Sequence, residues 1–262
     1  MARGTLPSAP MSDNAPSPHA SGVADFGFRQ VPAEAKAGLV RGVFDSVARR
    51  YDVMNDLMSA GLHRVWKRIF MNALNPRPGE RVLDLAGGTG DISAAISGRG
   101  AEPLLTDINE SMLRVGRDRL LERGKVLALL VADAERLPFA AGRFDAVTIA
   151  FGLRNCTHKD AVLAEAHRVL RPGGRFFCLE FSRVAVAALE PLYDAYSFRV
   201  LPWLGARVAG DAESYRYLAE SIRTFPPQEV LVRMMTSTGF ARSTYRNLSG
   251  GIVAIHSGWK LA

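Results

Sequence analysis

The sequence predicts a doubly wound α/β fold: a mostly parallel, seven-stranded sheet ending in an antiparallel hairpin, with N-terminal helices and a helical insertion before the last two strands. Three observations predict it. From Arg81 onward, short apolar runs alternate with segments of helical period, as repeated β-α-β units do. The first strand-to-helix crossing is glycine-rich, Gly87-Gly88-Thr89-Gly90, which lets backbone approach a ligand at the carboxyl end of a strand. The chain closes with two strand-like runs, 240–247 and 251–257, parted by Ser249-Gly250-Gly251 at hairpin spacing.

Taken in order, residues 1 to about 35 are dominated by Ala, Pro, Ser and Gly, a composition that predicts an unstructured tail. Met11 lies within it as an alternative start. Arg3 and Arg29 are the basic residues before Lys36, which makes an organellar transit peptide the weaker reading. Residues 36–262 read as one domain, opening with a helical lid over 36–76. One helix is predicted over 38–50. A second, over 62–74, sets Leu62, Val65, Trp66, Ile69, Phe70, Ala73 and Leu74 on one stripe, with His63, Arg64, Lys67 and Arg68 opposite. The segments RVLDLA, PLLTD, KVLALLVAD, RFDAVTIAF and GRFFCLEF are the predicted parallel strands. DISAAI is the helix after the first strand, and Asn109 opens the helix after the second. Thr157 is expected to cap the helix after the fourth. Its apolar face is Val162, Leu163, Ala166, Val169 and Leu170, and Pro172-Gly173-Gly174 stops it. Residues 185–238 break the rhythm as a helical, substrate-side insertion that carries four of the six tyrosines.

A length of 262 residues with 48% hydrophobic and 23% charged content suits one ordinary core. No apolar run approaches the ~20 residues of a membrane-spanning helix. The N-terminus lacks a secretory pattern, so a cytoplasmic protein is expected. Cys156 and Cys178 have no metal-ligand spacing; reduced thiols and no metal are expected. The net charge of +7 fits either an anionic partner or a basic solvated surface.

The glycine loop defines a nucleotide site. Asp107 ends the second strand, where a carboxylate accepts hydrogen bonds from a ribose, and Asp133-Ala134 end the third, beside an adenine edge. A dinucleotide fingerprint needs a third Gly or Ala after Gly88 and Gly90, and Ser93 stands there. Asp84 and Asp91, expected beside the ligand, would repel a pyrophosphate but suit the sulfonium and ammonium charges of S-adenosylmethionine. No Walker A lysine, HExxH or Gly-x-Ser-x-Gly motif occurs.

Beyond this generic site, the chain resembles the ubiquinone/menaquinone biosynthesis C-methyltransferase family of class I methyltransferases. The resemblance runs from about residue 26 to 260. It is carried by VRGVFDSVARRYDVMNDLMSAGLHRVWKR, VLDLAGGTGD, TDINESML, FGLRN, EAHRVLRPGGRFFCLEFS, YDAYSFRVLPWLG and DAESYRYLAESIRTFP. It implies S-adenosylmethionine contacts through Thr89, Asp107, Asp133 and Ala134, with Asp84, Gly87, Gly88 and Gly90 forming the cradle and Tyr51 and Asn55 a lid. Ala150 stands where family members often carry Ser.

The implied reaction is methylation of a ring carbon of a polyprenylated benzoquinol or a demethylmenaquinol. An aromatic carbon becomes nucleophilic when the adjacent hydroxyl ionises, so the reduced quinol is the expected acceptor. The resemblance points to Arg154 and Asn155 as the activating pair. Arginine holds its proton too tightly to be the base, so phenolate stabilisation is the expected role of Arg154, against a plain salt bridge. Tyr215, Tyr217 and Arg223 are candidates for the acceptor pocket, and His158 and His167 read as surface residues. The basic helix 62–74 is weighed as a membrane-resting element against core packing. Quinol, a membrane surface on its inner face, other quinone-synthesis enzymes and a second copy are the expected partners; nucleic acid is not. RNA methylation lacks an Asn/Asp-Pro-Pro-aromatic motif, and the intact site residues argue against a non-catalytic scaffold.

Overall fold

The computed structural model describes residues 22–47, 51–186, 193, 195–204, 206, 207 and 211–262, so Met11 and most of the predicted tail lie outside the described residues. The tail prediction is corrected from Val23 on. There β1 (Val23–Phe26) and β2 (Arg29–Pro32) pair antiparallel across a turn at Gly27, whose φ is +61°. Four-residue strands cannot hold themselves; this pair is held because Phe26 is buried and stacks on Tyr217 at 4.2 Å.

Three helices follow: α1 (Ala33–Val47), α2 (Tyr51–Ser59) and α3 (His63–Leu74). The predicted stripe on α3 is rotated. Trp66, Phe70 and Leu74 are buried as expected, but His63 and Met71 join them while Leu62, Val65 and Ala73 face solvent. The Ser59 hydroxyl lies 3.0 Å from His63 Nδ1 and accepts the His63 backbone N–H at 3.1 Å, which makes the buried imidazole tolerable. Trp66 donates its indole N–H to Ser249 Oγ at 2.8 Å. Trp66, Phe70, Met71 and Leu74 of α3 are thus spent on the core, while Leu62 and Val65 stay exposed.

The alternating segment forms β3 (Arg81–Leu85), α4 (Asp91–Ser97), β4 (Glu102–Asp107), α5 (Glu110–Glu122), β5 (Ala128–Val131), β6 (Phe144–Ala150), α6 (Lys159–Val169) and β7 (Leu170–Phe181). Asn109 caps α5 as expected, its side chain accepting from the Met112 N–H. Thr157 does not cap α6. His158 occupies that position, and Glu135 Oε1 instead accepts the N–H groups of Thr157 and His158 at 2.6 and 3.0 Å. The helix ends at Val169. Leu170 already pairs with Phe144, and the strand irregularity that follows carries Pro172-Gly173-Gly174 before Arg175 pairs with Ala146.

The insertion contains a π-helical turn (Tyr196–Val200), α7 (Leu201–Leu204), α8 (Ala212–Thr224) and α9 (Gln228–Ser237). β8 (Ala241–Leu248) and β9 (Val253–Trp259) complete the sheet. Among the described residues the strand order is β5-β4-β3-β6-β7-β9-β8, parallel from β5 to β7, with β9 antiparallel to both neighbours. Alternate residues of each strand enter different cores: Val82, Ala146 and Phe177 pack toward α3, whereas Leu83, Val147 and Phe176 pack toward α6 and α9. The order reverses between β3 and β6, the place where doubly wound sheets open a crevice.

Candidate active site

At that reversal a crevice of about 490 Å³ runs along the carboxyl ends of β3, β4 and β6 and is roofed by Ala37, Val40 and Phe44 of α1. Its size suits a nucleoside-scale ligand. The floor is made by two loops in tight approach. Ala86 and Phe151 both hold positive φ, 48° and 58°, a strained setting for residues with a Cβ. A Cβ on Gly152 would lie 2.6 Å from that of Ala86, so only glycine lets these loops meet. Gly88, with φ +55°, brings backbone to the crevice wall.

Asp107 stands at the centre of that wall. Its Oδ2 accepts the Gly88 N–H at 2.9 Å and its Oδ1 the Asn109 N–H at 2.8 Å. Burial pushes its carboxyl up to about 6, against the pull of these N–H donors. Asp133 and Ala134 line the next stretch, Asp133 accepting the Glu135 N–H at 2.9 Å.

The FGLRN segment closes the far end as a 3₁₀ turn, Leu153–Asn155. Asn155 lines the crevice, and its Oδ1 accepts the Tyr217 hydroxyl of α8 at 3.1 Å. Arg154 points elsewhere. Almost wholly buried, it donates Nη1 to Glu180 Oε1 at 2.8 Å and to the Phe151 carbonyl at 2.5 Å, with its guanidinium 5.4 Å from the Phe181 ring centre. Glu180 also accepts the backbone N–H groups of Arg154 and Phe181. Among the described residues the buried Arg154 Nε has no hydrogen-bond partner.

A model of the ubiE/COQ5 methyltransferase family matches residues 30–260. The chain belongs to that family. A ubiquinone/menaquinone biosynthesis C-methyltransferase from Acidiphilium cryptum is 63% identical over 240 residues, 90% of this chain and 96% of that protein. One from Cupriavidus metallidurans is 60% identical over 238 residues, covering 90% and 98%. Among solved structures, a SAM-dependent methyltransferase from Thermotoga maritima shares the fold with a TM-score of 0.59 at 18% identity, over 84% of this chain and 99% of that one.

In this methyltransferase Gly88, Asp107, Asp133, Ala134 and Asn155, all singled out in the sequence, line one crevice. Other expectations are corrected. Asp84 does not line the crevice. It lies fully buried under the loop, where Ser93 Oγ and Thr148 Oγ1 donate to it at 2.7 and 3.0 Å and burial raises it to about 6. The residue that breaks the dinucleotide fingerprint thus anchors the loop from below. Asp91 is taken by Lys67, 2.8 Å away. Gly87, Thr89 and Gly90 shape the turn without lining the crevice: the Gly87 N–H donates to the Thr106 carbonyl at 3.0 Å, and Gly90 precedes α4 with φ 81°. Tyr51 opens α2, but its side chain lies outside the described residues. Ala150 does not line the crevice, whereas His158, expected at the surface, does. His167 packs edge-on against Phe240.

On the insertion side, Tyr217 reaches the site while Tyr215 is buried in the core. Arg223 lies over the rings of Tyr193 and Phe198, at 5.8 and 5.9 Å. Sequence reasoning missed Glu180, Tyr193 and Lys36. Lys36 is 2% exposed and donates to the Cys156 carbonyl at 3.1 Å, tying α1 to the FGLRN loop. Burial, then Lys159, lowers its pKa to about 8. Nothing in its helical segment marks it as other than a solvated lysine. Burial pushes the Cys156 thiol up to about 12, so it is no nucleophile.

Proposed function

We propose that this methyltransferase binds S-adenosylmethionine in the α1-roofed crevice and methylates a ring carbon of a polyprenylated quinol, either a 2-polyprenyl-6-methoxy-1,4-benzoquinol, a demethylmenaquinol or both. The residues present fit the donor. Asp107 and Asp133 offer carboxylates to a ligand that carries positive charge and sugar hydroxyls, and Gly88 removes the side chain that would fill the cradle. Bound there, S-adenosylmethionine supplies an electrophilic methyl group. Gly87, Thr89 and Gly90 hold the loop that shapes the cradle, Asp84 anchors it, and Tyr51 belongs to the lid.

The observation that carries the reading is Asn155, which lines the donor crevice and bonds to Tyr217 of the insertion, so donor and acceptor sides meet at one residue. Asn155 orients the quinol hydroxyl. Arg154, held by Glu180 behind the crevice lining, stabilises the phenolate by its charge, and its Nε–H has no partner among the described residues. Tyr217 and Arg223 bound the acceptor side, and Tyr215 supports Tyr217 from the core. The relatives' function in ubiquinone/menaquinone biosynthesis supports a quinone-class acceptor. Among the described residues no helix is long and apolar enough to cross a membrane. The enzyme acts from the cytoplasm at the inner face of the membrane, beside other quinone-synthesis enzymes, as a monomer or homodimer.

The test is turnover of purified protein with donor and each acceptor, supplied reduced or oxidised. Mass spectrometry should find a product one methyl group heavier from the reduced acceptor only. Donor binding with no methylation of either quinol overturns the acceptor assignment.

A further inference from the structure

The stretch from Tyr196 through α7 turns Ser197 and Leu201 inward, which leaves Phe198, Arg199, Val200 and Trp203 facing out. Phe28, at the turn of the β1–β2 hairpin, is 60% exposed and stacks on Phe198 at 5.9 Å. Trp203 is 56% exposed, with the Arg207 guanidinium 5.2 Å from its ring centre. Two segments far apart in sequence thus present large rings to water side by side. Contiguous apolar surface of this kind marks a docking site.

The charges around it choose the occupant. Arg29, Arg199 and Arg207 are exposed among the rings. Of the acids beside it, Glu213 pairs with Arg216, while Glu220, which accepts the Phe28 N–H, and Asp211, which accepts from Ser46 and Ser214, keep their charge in the neighbouring groove. Aromatic rings interleaved with arginines match the headgroup layer of an anionic bilayer, where rings sink to the acyl boundary and cations meet phosphate. The face is also continuous with the acceptor side, since Arg223 spans Phe198 on the surface and Tyr193 beneath it.

We propose that Phe28, Phe198 and Trp203, with Arg29, Arg199 and Arg207, form a face that docks on anionic lipid and admits the quinol's polyprenyl tail toward Tyr193 and Arg223. Passage of the tail rests on the quinol reading above; docking is measurable without any quinol.

The test uses the full chain with phosphatidylglycerol-containing vesicles and with pure phosphatidylcholine vesicles. Wild type should co-sediment with the anionic vesicles and less so at high salt. The double variants Phe28→Ser/Trp203→Ser and Arg199→Glu/Arg207→Glu should each lose about tenfold in partitioning. Both should keep wild-type donor affinity by calorimetry and wild-type turnover of a water-soluble, tail-less quinol. Wild type that stays in the supernatant at low salt overturns docking, as do variants that partition like wild type. A dimer abolished by the same substitutions, without vesicle binding, assigns the face to a second copy and overturns the lipid. Vesicle binding that follows the face while no quinol is methylated supports docking and counts against the acceptor assignment alone.

Discussion

Asp107 and Arg154 show how one residue's surroundings decide its chemistry. Burial raises the Asp107 carboxyl to about 6, so the carboxylate proposed to accept the donor's ribose is full above that pH and is lost as pH falls through it. Donor affinity measured by calorimetry should therefore be flat near neutrality and weaken about tenfold for each pH unit below 6. Asp107→Asn should weaken binding at every pH and flatten that profile. Arg154 and Glu180 are both buried and hold one another at 2.8 Å. Glu180→Ala strands the guanidinium and should cost about 3–5 kcal/mol in denaturant melts. Arg154→Ala, assayed where it remains folded, should abolish turnover while donor binding persists; near-normal turnover removes Arg154 from the mechanism.

Elements in this chain are positioned by close approach as much as by propensity. Helix α5 touches the glycine loop at Gly116, where an added Cβ would meet the Gly88 carbonyl at 2.9 Å and Thr89 Cα at 3.1 Å. Both neighbours are backbone and cannot swing aside. Gly116→Ala should cost about 1–3 kcal/mol by overpacking, seen as a lower thermal midpoint, and weaken donor binding because the strain falls on the cradle. Helix α3 carries a related lesson. Its period was legible, but the buried arc shifted because Ser59 satisfies His63 and lets it turn inward.

Across the whole molecule, the site is assembled from parts that fold separately in sequence and meet only through long-range bonds. Lys36 links the roof helix to the FGLRN loop across 120 residues. Its charge, with pKa lowered to about 8, is present below that pH and lost above it, so the bond to the Cys156 carbonyl weakens as pH rises through 8. Stopped-flow release of the donor should quicken through that range in wild type. In Lys36→Met release should be fast throughout and independent of pH there. The same long-range logic holds the β1–β2 hairpin, which depends on Phe26 stacking against Tyr217.

The alternation of strands and helices, the glycine loop, the crevice-lining Asp107 and the closing hairpin were legible in the sequence because each is a local pattern. Period, turn chemistry and strand ends are set within a few residues of chain. Tertiary structure alone decided which acids face the crevice. Asp84 and Asp107 are both strand carboxylates, yet Ser93 and Thr148 pull one beneath the loop while the other lines the wall. It alone paired Arg154 with Glu180 across 26 residues, buried Lys36, and left Phe28 and Trp203 in water. Those outcomes depend on which distant atoms arrive to satisfy a charge or cover a ring, and no local pattern encodes that arrival.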